Sequence, residues 1–144
     1  MLCEGEDSDV FADARRLREE IFVEGQGIPV EDDQDGLDGI ARHGVLYSDG
    51  EPVGVVRLRT LGDGDYAKVK VERVGVLKER RREGHGVRLM RLVESIVRNE
   101  YPGEGIVLNA QEDVVGWYER QEYVAVGESF EEAGIPHRKM TKQP

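Results

Sequence analysis

With 144 residues, the chain is long enough to enclose one sizeable core and too short for two, so a single domain is expected. Hydrophobic residues make up 38% and charged residues 35%, a balance that argues against wholesale disorder, and no apolar run approaches the ~20 residues needed to span a bilayer. The formal charge of -10 argues against nucleic acid and anionic membrane as partners, because most of the surface repels both.

The opening MLCEGEDSDV carries neither the basic nor the apolar region of a secretory signal, so a cytoplasmic location is expected. Cys3, the lone cysteine, provides for no intrachain disulfide and no cysteine-based metal cluster. The acidic excess also resembles the surfaces of proteins from high-salt cytoplasm, where screening relieves self-repulsion. It predicts a melting temperature that rises between low and molar KCl.

Ser8 is placed to cap a first helix, in which Val10, Ala14, Leu17 and Ile21 recur at helical spacing while Arg15, Arg16, Glu19 and Glu20 fall on the other side. The helix is expected to end near EGQGIP, where Gly25, Gly27 and Pro29 open an irregular acidic segment running to about Gly39. Glu31, Asp33, Asp35 and Gly36 align with the first half of an EF-hand loop, but Arg42 stands where a bidentate glutamate is required. A solvated loop is therefore expected rather than a Ca²⁺ site.

RHGVLYS and PVGVVRLRT read as strands joined by an Asp49-Gly50 hairpin turn, and GDGD at 62–65 makes a second turn into YAKVKVERVGVL. In that third run Val69, Val71, Arg73 and Gly75 share one alternation, and Lys70, Glu72, Val74 and Val76 the other. A helix follows with Leu89, Met90, Val93, Ile96 and Val97 on one face and Arg88, Arg91, Ser95 and Arg98 on the other, stopped by YPG at 101–103. Next come a strand GIVLNA, a helix DVVGWYERQ with Asp113 as its cap, and closing strands around YVAVGE and HRKMTK. A meander, a β-α-β unit, a helix and a hairpin add up to an α/β fold with a mixed sheet.

The stretch RRREGHGVRLM, residues 80–90, runs against the charge of the whole chain. Lys78, Arg80, Arg81, Arg82 and Arg88 gather at a strand-to-helix junction, where unpaired N–H groups and the helix dipole favour an anion. Gly84 and Gly86 let backbone approach a ligand closely. A P-loop is excluded because Val87 and Arg88 follow Gly86 where a lysine and a hydroxyl are needed, and a dinucleotide fingerprint because Leu89 holds its third glycine position.

VGVLKERRREGHGVRLM resembles the acyl-CoA signature of the GNAT superfamily of N-acyltransferases, Gln/Arg-x-x-Gly-x-Gly/Ala, with Arg81, Gly84 and Gly86 at the patterned positions. LNAQEDVVGWYERQEYVAVGE resembles the superfamily's later strand and helix, with Tyr118 at its usual tyrosine and Gln111 where a polar amide is often found. IFVEGQGIP and EEAGIPHRKM are similar to the ElaA-type branch, so the resemblance covers nearly the whole chain. Two features depart from the pattern. Only MLCEGED precedes the first helix, leaving the usual first strand short or absent, and the Gly-Phe often found after the tyrosine helix is Glu122-Tyr123.

The resemblance implies a GNAT fold over residues 1–144: a mixed, mostly antiparallel central sheet, splayed between the parallel strands VERVGVL and GIVLNA and flanked by helices. It implies an acetyl-CoA-dependent N-acetyltransferase in which a primary amine, on a small molecule or peptide, attacks the thioester directly without a metal. Backbone of Val74, Gly75 and Val76 is expected to pair with the pantetheine arm, and Arg81, Arg82, Glu83, Gly84, His85, Gly86 and Val87 to hold the pyrophosphate, with Gln111 also on the cofactor side. Tyr118 is the candidate acid for the departing thiolate, with a buried structural phenol next to Trp117 as the open alternative. Glu72 is the candidate base, with pairing to Lys70 or Arg57, and loss of the amine proton to solvent, as open alternatives. His137 is expected to line the acceptor pocket or to orient the last strand. A non-catalytic acyl-CoA-binding module is the alternative function, and a homodimer is left open.

Overall fold

Ser8 accepts the Phe11 amide hydrogen at 3.1 Å and starts helix α1, Asp9–Arg18. A π-helical segment, Glu19–Glu24, carries the apolar face on through Ile21 and Phe22. The computed structural model describes residues 1–62 and 69–144, and in it seven strands form one sheet in the order β1-β2-β3-β4-β5-β7-β6. They are β1 Leu2–Glu4, β2 Arg42–Ser48, β3 Glu51–Thr60, β4 Val69–Val76, β5 Ile106–Gln111, β6 Val124–Glu132 and β7 Ile135–Lys142. The first strand is therefore present, though short, and pairs Leu2–Glu4 against β2. Most of the expected GDGD turn lies outside the described residues.

Hairpin chemistry sets the register at both ends of the sheet. Asp49 and Gly50 take φ +52° and +80° between β2 and β3, and Ala133 and Gly134 take +53° and +74° between β6 and β7. Positive φ at both central residues matches the twist of the flanking strands. β4 and β5 run parallel, Val69–Val71 against Ile106–Leu108, as their connection through helix α3, His85–Glu100, requires.

Residues 1–59 and 72–93 form one compact unit, and residues 60–71 and 94–144 another. In the first, Ala14, Leu17, Ile21 and Phe22 pack with Val45 and Val55. In the second, Val69, Val71, Ile106, Leu108 and Met140 are buried, and buried Glu94 accepts from the Tyr123 hydroxyl at 2.9 Å and faces Lys142 Nζ at 3.2 Å. Among the described residues no helix is long and apolar enough to cross a membrane.

Three local expectations are corrected. Asp113 is not a cap: the chain leaves β5 into a 3₁₀ turn, Glu112–Val114, so Asp113 lies inside the turn and helix α4, Val115–Glu119, starts without a side-chain cap. The acidic segment is not irregular throughout, because Pro29 leads into a short helix α2, Val30–Asp33, and Asp38–Ile40 makes a 3₁₀ turn. The alternation of β4 breaks at Arg73, whose φ is +55°. At the position where the family pattern often has glycine, Glu122 adopts φ +72° and its amide donates to Glu119 O at 3.0 Å, so the turn forms with a glutamate in it.

Candidate active site

Gly75 brings β4 against the π-helical segment so closely that a Cβ there would lie 3.0 Å from both Ile21 Cγ2 and Phe22 Cζ. After β4, a 3₁₀ turn at Lys78–Arg80 leads to an elbow in which Arg82 takes φ +68° and Gly84 φ +82°. Among the described residues the N–H groups of Arg82, Glu83 and Gly84 make no backbone hydrogen bond, and α3 begins at the next residue. Left-handed residues alternating in this way turn successive amides toward one point, the geometry of an anion nest.

The elbow's side chains are ordered around Glu83. Its Oε1 accepts from Arg80 Nε at 3.1 Å and from His85 Nε2 at 2.9 Å. Arg88 Nη1 donates to Glu83 O and to His85 Nδ1, both at 3.1 Å, and a guanidinium can only donate, so Nδ1 accepts and the ring proton sits on Nε2. The His85 hydrogen bond, then that of Arg80, holds the Glu83 carboxyl below its usual range. Arg81 Nε donates to Val76 O at 3.1 Å, tying the elbow to the end of β4, while Arg82 is exposed.

Glu72 stands on β4 as expected, but both its oxygens are engaged. Arg57 Nε reaches Oε2 at 2.8 Å, and Arg59 bonds Oε2 at 3.0 Å and Oε1 at 2.9 Å. The pairing with Arg57 left open by the sequence forms, and guanidinium donors hold both carboxylate oxygens. Arg57 also grips Asp35 through two parallel bonds, at 2.8 and 2.7 Å, and shares Asp38 Oδ1 with Arg18. Arg18 and Arg57 side chains are both 0% exposed.

The acidic segment is thus not solvated throughout: Glu31 and Asp32 are exposed, but Asp33 and Asp38 are buried, and with Asp35 they are the counter-ions of buried arginines. The Arg57 hydrogen bond leads the effects that hold the Asp35 carboxyl far below its ordinary value. Burial alone would raise Asp38, but hydrogen bonds and charge from Arg18 and Arg57 outweigh it and lower it. A charge left unpaired in such a place is costly, so Asp33, Asp35 and Asp38 are committed to these arginines.

The second unit holds Tyr118, Gln111 and His137. Tyr118 on α4 packs edge-on against Trp117 at 4.8 Å and Tyr123 at 5.6 Å between ring centroids, and burial pushes its phenol well above the usual range. Gln111, His137 and Phe130 stand in register across β5, β7 and β6. His137 Nδ1 donates to Ile135 O at 2.6 Å, its ring stacks on Phe130 at 6.1 Å, and Nε2 lies 3.7 Å from Glu132 Oε2. With Nδ1 carrying the proton, Nε2 of the neutral ring is an acceptor.

One continuous β4-elbow-α3 segment carries Glu72, Val74–Val76 and residues 81–87, whereas Tyr118, Gln111 and His137 belong to the other unit. The arginine network was missed, yet it left a trace. Arg18 follows Ala14 by four residues on the apolar face of α1, and Arg57 shares its parity with Val53 and Val55 in β3.

A mixed seven-stranded sheet whose parallel pair brackets a helix entered through a glycine-bearing elbow is the architecture of the GNAT acyltransferases. The chain belongs to that family: the profile of the acetyltransferase (GNAT) domain matches residues 30–144. It is 39% identical over 131 residues, 90% of each chain, to YjcF of Bacillus subtilis, described as an uncharacterized N-acetyltransferase. To ElaA of Escherichia coli it is 32% identical over 89% of this chain and 84% of that one, and the ElaA crystal structure aligns with a TM-score of 0.84 over 99% and 97% of the two chains. An acyl-CoA N-acyltransferase from Pseudomonas aeruginosa aligns over the same shares with a TM-score of 0.85 at 27% identity.

Proposed function

We propose that this chain, acting as one domain, transfers an acetyl group from acetyl-CoA to a primary amine within a ternary complex. The observation that supports this most is the elbow: amides of Arg82, Glu83 and Gly84 without backbone partners among the described residues, framed by arginines, between the end of β4 and the start of α3. In this reading the elbow with Arg81, together with His85, Gly86 and Val87 of the first turn of α3, takes the pyrophosphate. Val74–Val76 take the peptide-like pantetheine as an added strand would pair, and Gln111 contributes from β5.

The amine nitrogen attacks the thioester carbonyl carbon, the C–S bond breaks, and the thiolate takes a proton from Tyr118. Because burial holds the phenol protonated, the donor form is the resting form, and solvent restores the proton afterwards. The proton released by the amine goes to solvent, since Glu72 is held between two guanidiniums. His137 Nε2, 3.7 Å from Glu132 Oε2, accepts an N–H of the acceptor in this reading, with Phe130 beside it as an apolar wall.

The test is a free-thiol release assay with acetyl-CoA against small amines, polyamines and peptides, at low and high KCl. Turnover with at least one amine, reduced about 10²-fold or more in Tyr118→Phe, is the expected result. Tight CoA binding without thiol release would instead favour a non-catalytic acyl-CoA-binding module, and unchanged turnover in Tyr118→Phe would remove the acid assignment.

A further inference from the structure

Arg73 sits inside β4 with φ +55°, a left-handed backbone that residues bearing a Cβ seldom adopt. Its own side chain supplies the holding force. Nε donates to Asp33 Oδ1 at 3.1 Å, and Nη2 donates to Asp32 O at 3.1 Å, Asp33 O at 3.2 Å and Asp35 Oδ2 at 3.3 Å. Arg18 seats the same loop from the helix side, with Nε on Asp33 Oδ1 at 3.1 Å and Nη2 on Asp33 O at 2.6 Å.

Adjacent residues of a regular strand point to opposite faces. Glu72 and Arg73 nevertheless meet one network, Glu72 through Arg57 and Arg73 through Asp35, which Arg57 also holds. The left-handed turn makes this possible, as an extra residue does in a bulged strand. Pairing of β4 with β5 covers Val69–Val71, while the strand itself continues to Val76. The ladder and the turn are therefore two residues apart, and the stretch beyond the turn is the one read above as the pantetheine edge.

We propose that Arg73, clamped by Asp33, is a positioning residue for the cofactor: it fixes the turn that takes the Val74–Val76 edge out of the parallel ladder and presents it to the pantetheine arm. The proposal rests on the acyl-CoA reading. The clamp shares no hydrogen bond with the elbow among the described residues, so the two halves of CoA report on two separate parts of β4 and its sequel.

Calorimetric titration with CoA and with adenosine 3′,5′-bisphosphate, which has the nucleotide end of CoA and no pantetheine, separates them. Wild type binds CoA more tightly than the bisphosphate. Arg73→Ala weakens CoA by about tenfold or more and the bisphosphate by less than about twofold. Arg73→Gly lies between wild type and alanine, because glycine enters the turn without strain but carries no clamp, and Arg73→Lys recovers part of the loss through its charge. Bisphosphate stoichiometry reads the folded fraction of each variant. Equal weakening of both ligands, or unchanged CoA affinity in Arg73→Ala and Arg73→Gly, overturns the clamp. Wild type that binds neither ligand overturns the acyl-CoA reading itself.

Discussion

The first unit contains two groups of arginines that composition cannot tell apart. Arg18, Arg57, Arg59 and Arg73 face Asp33, Asp35, Asp38 and Glu72, matched charge for charge, and Arg18 and Arg57 are wholly enclosed. At the elbow, by contrast, Arg81 and Arg82 are exposed, Arg80 and Arg88 gather round Glu83, and three neighbouring amides have no backbone partner among the described residues. The difference is who brings the anion. The inner group is complete within the fold, while the elbow has more donors than its own carboxylate can satisfy. A cluster of like charge thus marks a ligand site only where the chain has not supplied the counter-ions.

The largest break in that contrast comes from Arg57→Ala, which leaves Asp35, Asp38 and Glu72 around a missing cation. Urea unfolding should show a loss of about 3–5 kcal/mol. A variant as stable as wild type would show that the inner group contributes no structural constraint.

Arg81→Ala combined with Arg82→Ala should do the reverse, leaving unfolding within about 0.5 kcal/mol of wild type. CoA binding, measured by calorimetry, should weaken by about 1.5–3 kcal/mol. Rising KCl should weaken wild-type binding more than that of the double variant, because part of the attraction to the elbow is screened.

Acid separates the groups again. Asp35 and Asp38 have folded pKa values below their unfolded value near 3.8, so their contribution is complete above about pH 4 and is lost as pH falls further. Burial lowers His43 from 6.5, so stability also begins to fall as pH drops below that value, where the unfolded chain takes up the proton first. Melting temperature should therefore decline in two stages between pH 7 and pH 3, with the same profile in the Arg81/Arg82 variant. A flat profile below pH 4 would contradict the inner pairing.

The smallest effect is expected from Glu83→Gln. Removing the carboxylate frees Arg80 and His85 for a phosphate, so CoA should bind about two- to fivefold more tightly. Weaker binding would mean that Glu83 chiefly orders its neighbours.

Elements governed by short-range rules were legible in the sequence. The Ser8 cap, the Asp49-Gly50 hairpin and the apolar face of α3 form as read, and of the motif residues Arg81 and Gly84 lie in the elbow and Gly86 in the first turn of α3. What escaped depends on partners distant in the chain. Nothing local says that Asp33 meets Arg18 and Arg73, residues 15 and 40 positions away, or that Asp38 meets Arg57. The acidic run therefore looked solvated, and the parity of β4 looked unbroken because the force that turns Arg73 comes from that same run. Glu72 was assigned by proximity to an expected gap, but donors on β3 decide what its carboxylate does.

The shared Asp33 carboxylate has a consequence for how this segment can change over generations. One oxygen serves both Arg18 and Arg73, so replacing any one of the three alters what the other two require. Mutational paths through residues 31–38 should be strongly epistatic, with single changes purged and joint replacements tolerated. A designer who wishes to graft the loop onto a relative would need to transplant it as a cassette, together with the arginines of α1, β3 and β4 that complete it.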